Sequence, residues 1–242
     1  MINALAGQRA VVTGAAGGLG GAVTRRLRDA LVEVTGFDLS PQAEVSLDIS
    51  STDEVRHAFD SVLAGGNVDI VVHCAAITVM SDLESTSADD FDRVMAVNVR
   101  GAFNMLSVAL PHMRQHRYGR VVLVASIAAN FGYRFPAYSA SKAAVIALAK
   151  TAAVESAAAG VTVNSVSPGR IATAMAPISD PSELRERIPV GRAAEPGDIA
   201  AVIFALVQPD MGYLTGADIV VDGGMSAVFA LHGLGPYSSQ PT

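Results

Sequence analysis

The chain has 242 residues, half of them apolar and 17% charged, with a formal net charge of −6. This is material for one large domain or two small ones, and the weakly acidic balance argues against nucleic acid or an anionic membrane as a partner, since both need a basic footprint. Cys74 is the single cysteine, which excludes an intrachain disulfide and a thiolate metal cluster and suits a reducing cytoplasm.

The opening segment MINALAGQRAVV has no basic region ahead of a long apolar run, so no signal peptide is expected. No apolar stretch reaches the ~20 residues of a membrane span. In chain order, β-branched runs at 8–13, 31–38, 68–73, 119–126, 160–167 and 217–222 predict strands. Segments at 18–30, 51–64, 87–116, 137–158 and 196–207 carry helical periodicity. Strands apolar on both faces and alternating with helices imply a parallel sheet covered on both sides. Ser51 and Glu54 read as a capping box, and Pro196 as a first helical residue. After Asp38 the next apolar run, EVSLD, begins at 44. A parallel crossover normally takes a dozen or more residues, so the second and third strands need a short, unusual connection. From Met225 onward the chain shows no clear period. One domain over 1–242 is expected, with 225–242 as a C-terminal tail.

Gly14, Gly18 and Gly20 in VVTGAAGGLGG follow the first strand and open a helix. Absent side chains let the backbone approach a pyrophosphate, whose charge is favoured at a helix N-terminus. Asp38 follows Gly20 by 18 residues, close to the ~20 expected of an acid that binds the adenosine ribose. No Lys or Arg occurs at 15–17 or 39–40 to welcome an extra phosphate, which favours NAD over NADP. In AYSASKAAV, Tyr138 and Lys142 lie four apart on one helix face. A phenol near pKa ~10 needs ~4 kcal/mol of preferential stabilisation to titrate ~3 units lower, and a nearby ammonium with a positive nicotinamide ring is suited to supply it. Cys74 and His73 read as buried strand residues, His73 with a satisfied ring; His112 and His116 read as a solvated helix face, and no metal is expected.

These motifs together resemble the classical short-chain dehydrogenases/reductases over about 5–225. TGAAGGLG (13–20), LDIS with Asp48 and Ile49, VNVRG (97–101), YSASK (138–142) and SPGRIAT (167–173) carry the resemblance. It implies a Rossmann-type doubly wound parallel α/β sheet of about seven strands, in the order 3-2-1-4-5-6-7, flanked by helices. It implies a catalytic set of Asn98, Ser126, Tyr138 and Lys142. Tyr138 would be the general acid and base, Lys142 the ribose ligand, Ser126 a substrate-oxygen partner, and Asn98 the holder of a relay water. The dinucleotide, NAD, would be bound by Gly14, Gly18, Leu19, Gly20, Asp38, Asp48, Ile49, Cys74, Ala75, Tyr138, Lys142, Pro168, Gly169, Ile171 and Thr173. Where the family has NNAG, this chain has HCAA (73–76), and the spacing from Ser126 to Tyr138 is slightly shorter than usual. Ser126, Ala128, Phe131, Tyr133 and Met175 are expected to meet the substrate, under a short lid at 174–190. The implied function is NAD-linked interconversion of a secondary, cyclic-type alcohol and its ketone by a cytoplasmic homotetramer or homodimer. An NADPH-linked 3-oxoacyl or polyketide ketoreductase, or a catalytically silent dinucleotide-sensing scaffold, stays open as an alternative.

Overall fold

The structure, a computed structural model, describes residues 4–173 and 188–227. Seven parallel strands form one sheet in the order β3-β2-β1-β4-β5-β6-β7. They are β1 (Arg9–Thr13), β2 (Glu33–Asp38), β3 (Val45–Ser46), β4 (Ile70–His73), β5 (Gly119–Val124), β6 (Val161–Pro168) and β7 (Asp218–Val221). The central strands β4, β5 and β6 are buried at every residue, as both-face coverage demands. Alternate residues feed two cores. Val11, Val71, Val121 and Val163 join one cluster with residues of α2 (Thr52–Leu63), α4 (Gly101–His116) and α5 (Pro136–Ser156). Val12, Val72, Val122 and Val166 join the other with residues of α1 (Gly18–Asp29) and α6 (Pro196–Leu206).

The connection after β2 is short, as the spacing requires. β3 has only two residues and pairs Phe37 with Val45. The length of β2 that β3 leaves bare is closed by side chains: Glu44 accepts from Gly36 N at 3.0 Å, and Arg28 donates to Val34 O at 3.1 Å and to Glu44 at 2.5 Å. The expected capping box on α2 is half formed. Ser51 accepts from Glu54 N, but the Glu54 carboxylate accepts instead from Asp48 N at 2.9 Å. It thereby tethers the strand end that precedes the helix. Pro196 does occupy the first turn of α6.

The predicted helix at 87–116 is interrupted. α3 (Ala88–Met95) and α4 flank a π-helical turn, Ala96–Arg100, where Gly101 N reaches Ala96 O. The whole run Ala88–His116 is long and apolar enough to cross a membrane. Ala102, Met105, Leu106, Ala109, Leu110 and Met113 are buried in the core instead, so its apolarity is that of a core helix. The π turn lies at the C-terminal edge of the sheet, where ligands of open α/β folds bind.

Candidate active site

At the β1–α1 turn the backbone itself forms the surface. Gly14 has φ +68°, and a Cβ there would stand 2.8 Å from Ala75 N. A Cβ on Gly20 would collide with the Gly14 carbonyl oxygen. Gly17 caps α1 with no side chain, so no side chain of the cap satisfies the amides of the first helical turn. Asp38 closes the other side. Its carboxylate accepts from Ala16 N and Ser40 N, both at 3.0 Å, which fixes its orientation and leaves lone pairs for a ribose. Asp48 accepts from Ser50 N at 2.8 Å, and Ile49 packs so close to Gly101 that a Cβ there would lie 2.9 Å from Ile49 Cγ2.

The opposite end carries the reactive groups. Pro136 starts α5, which places Tyr138 in its first turn and Lys142 one turn on. Ser126 lies two residues beyond β5, where it caps a 3₁₀ turn, Ile127–Ala129, by accepting from Ala128 N at 3.2 Å. The Ser126 hydroxyl lines the same cleft as the Tyr138 phenol and favours its ionised form. Lys142 is 3% exposed and donates to Val124 O at 2.8 Å. Burial pulls its ammonium down to about 8, with Cys74 opposing slightly. The Tyr138 phenol is pushed up, by burial first and by Tyr133 in addition, while Ser126 opposes. Lys142 Nζ lies 5.6 Å from the Tyr138 ring centroid and is turned to Val124 O.

Asn98, 1% exposed in the π turn, clamps the strand β4 exit. It accepts from Ile77 N at 2.8 Å and donates to Ile77 O and to Ser141 Oγ, each at 2.9 Å. Both amide protons are thus used within the protein, and the Asn98 side chain acts as a clamp. The HCAA segment keeps the sheet centre joined through Thr13, whose hydroxyl is 2.9 Å from His73 Nδ1 and accepts from Ala75 N at 3.2 Å. The His73 ring is only half satisfied, however. Its buried Nε2 finds no partner among the described residues, and burial pulls the imidazole down to about 3. Cys74 differs from the expected buried strand residue: it follows the end of β4, is partly buried and lines the cleft, where desolvation pushes its thiol up to about 12.

Gly14, Gly18, Leu19, Gly20, Asp38, Asp48, Ile49, Cys74, Ala75, Ser126, Tyr138, Lys142, Pro168, Gly169, Ile171 and Thr173 all line one cleft of about 400 Å³. Thr13, Phe37, Leu47, Ile77 and Val97 also line the wall; Phe37, Leu47 and Ile77 were missed because apolar strand and loop residues carry no motif of their own. Ala172 N donates to Ala194 O and Ala194 N to Arg170 O, both at 2.9 Å, which holds the 168–173 segment over α1, with Thr173 Cγ2 3.2 Å from a Cβ position on Gly18. Of the substrate candidates, Ala128 is buried and acts on Ser126 rather than offering surface, which corrects its assignment. Phe131 and Tyr133 are about half exposed on the loop before α5, Tyr133 edge-on to Phe135 at 5.1 Å. Met175, the lid up to 187 and the tail from 228 lie outside the described residues.

The cleft suits a dinucleotide: Gly14, Gly17, Gly18 and Gly20 bring bare backbone to its wall, and the oriented Asp38 carboxylate lines it too. Comparison with known proteins agrees. The model of a family described as enoyl-(acyl carrier protein) reductase matches residues 14–226. A 3-oxoacyl-(acyl-carrier-protein) reductase of Thermotoga maritima is 33% identical, over 91% of this chain and 98% of its own. A 2,3-dihydro-2,3-dihydroxybenzoate dehydrogenase of Escherichia coli is 35% identical, over 90% and 96%. The structure of Thermoplasma acidophilum aldohexose dehydrogenase superposes with a TM-score of 0.89 at 26% identity, covering 97% of this chain and all of that one. The chain belongs to the classical short-chain dehydrogenase/reductase family, nicotinamide-dinucleotide oxidoreductases that act on alcohol and ketone groups.

Proposed function

We propose that this chain is an NAD(H)-dependent oxidoreductase that interconverts a secondary alcohol, with cyclic alcohols the favoured class, and its ketone. The observation that carries this reading is that Ser126, Tyr138 and Lys142 meet at one end of the cleft that Asp38 closes at the other. Asp38 and the glycine turn would hold the adenosine and pyrophosphate. Lys142, through donors not used by Val124 O, would hold the nicotinamide ribose. The 168–173 segment would hold the nicotinamide. When bound, the oxidised nicotinamide supplies the hydride acceptor and a positive charge beside the phenol. Ser126 Oγ positions the substrate oxygen against Tyr138 Oη. In oxidation the phenolate takes the hydroxyl proton; in reduction the phenol returns one to the ketone oxygen. Burial keeps the free phenol protonated, so Tyr138 is ready as an acid and becomes a base only with added positive charge nearby. The dihydrodiol dehydrogenase relative and a levodione reductase structure, 29% identical with a TM-score of 0.87, support a cyclic substrate.

A second reading, reduction of 3-oxoacyl thioesters with NADPH, is favoured by the Thermotoga relative. Against it stands Asp38, with no cation at 39–40 and Leu39 exposed beside it. Assembly as a homotetramer or homodimer is supported by Phe103 and Val154, exposed on α4 and α5.

The test is NADH formation from NAD across cyclic diols, steroids, sugar alcohols and 3-hydroxyacyl esters, with Tyr138→Phe in parallel. The expected result is turnover that Tyr138→Phe lowers about 10²- to 10⁴-fold while NADH binding is kept. Turnover with NADP alone would contradict the cofactor reading, and wild-type turnover by Tyr138→Phe would contradict the mechanism.

A further inference from the structure

Ser141 stands inside the YSASK motif with no exposed surface, and the mechanism above gives it no role. Its hydroxyl is fully engaged. It donates to the carbonyl of Tyr138 at 2.7 Å and accepts from Asn98 Nδ2 at 2.9 Å. Asn98 in turn holds both backbone groups of Ile77, a residue of the cleft wall. The four groups form one line, buried at Asn98 and Ser141 and half-buried at its ends, from the cleft wall, through the π turn, to the backbone of the residue that carries the phenol. A hydroxyl bonded back to the carbonyl one turn earlier sets the local tilt of a helix. Here that turn is the first of α5, and it decides where the phenol stands relative to Ser126.

We propose that Ser141 is a positioning residue: it locks the first turn of α5 to Asn98 so that the Tyr138 phenol meets the Ser126 hydroxyl. The inference rests on the acid/base reading of Tyr138. Without the Ser141 hydroxyl, Asn98 Nδ2 keeps only Ile77 O, and the Tyr138 carbonyl loses its side-chain donor. The phenol then slips from the Ser126 hydroxyl, whose presence favours the phenolate. The phenolate forms at higher pH in consequence.

The test needs no substrate. The titration of Tyr138 is read by ultraviolet phenolate absorbance in saturating NAD, as the difference between each protein and its Tyr138→Phe counterpart. It is done for the parent, Ser141→Ala and Ser141→Thr, with NADH binding and thermal melts alongside. Ser141→Ala is expected to move the Tyr138 titration up by about one pH unit, the equivalent of a tenfold loss of phenolate. NADH binding should stay within about twofold, and Ser141→Thr, which keeps the hydroxyl, should restore the parent curve. An unmoved titration in Ser141→Ala, or an equal shift in both variants, would overturn the proposal and leave Ser141 as packing only. If the parent and its Tyr138→Phe form titrate alike, it is the acid/base reading itself that fails. Should Ser141→Ala not fold, Ser141→Cys replaces it, with a smaller upward shift expected and no shift overturning the proposal.

Discussion

The two ends of the cleft are built on opposite principles. At the β1–α1 turn, shape comes from side chains that are missing: Gly14 and Gly20 are bare because any Cβ would strike Ala75 N or the Gly14 carbonyl. At the α5 end, shape comes from polar side chains that are buried: Lys142, Asn98, Ser141 and His73 are each 3% exposed or less. The first kind of site gains its geometry from backbone sterics alone. The second holds desolvated polar groups, and it is the end where stability is given up for chemistry.

The steric end is broken by adding one carbon. Gly20→Ala forces the first turn of α1 away from the Gly14 carbonyl, and a loss of about 3 kcal/mol of stability together with loss of NADH binding is expected. A melt and a fluorescence titration check both, and an Ala variant that binds NADH normally would show that the turn is softer than its geometry.

The polar end is broken in the reverse sense. Lys142 has its folded-state value pulled down to about 8 from 10.5, so the folded protein releases this proton before the unfolded chain does. Between about pH 8 and 10.5 the unfolded state binds more protons, and stability rises with pH through that window. At pH 7 the charged ammonium therefore costs about 3 kcal/mol, and Lys142→Met should melt several degrees higher while losing activity. The gain should shrink as pH is raised toward 10. A melt that falls at pH 7 would mean that the bond to Val124 O outweighs desolvation.

The smallest effect is at Asp38. Asp38→Ala removes the repulsion toward a 2′-phosphate and frees Ala16 N and Ser40 N. The ratio of NADP to NAD binding should rise ten- to a hundredfold, read by titration with the reduced dinucleotides. No change in that ratio would remove Asp38 from cofactor choice.

The same contrast governs what could be read from the residues. The glycine turn, Asp38 and the doubly covered parallel sheet were legible because bare positions and doubly buried strands leave marks in composition and period, while the strand order came from the family resemblance. The absent crossover helix after Asp38 was legible from spacing alone. The π turn at Ala96–Arg100 was not, because one inserted residue barely shifts a helical period over 87–116. The Glu54 bond to Asp48 N, the half-satisfied His73 ring and the engaged Asn98 amide depend on which neighbour is nearest in space, and no spacing along the chain records that.

The direct measurement of the central claim is the Tyr138 phenolate titration, free and with saturating NAD, using Tyr138→Phe to isolate the signal. The account predicts a free phenol titrating above the ordinary tyrosine value, since burial outweighs Ser126, and a fall to well below that value once NAD is bound. A phenol that titrates at the same pH with and without NAD would contradict the account, because the site would then hold a buried tyrosine and no switchable base.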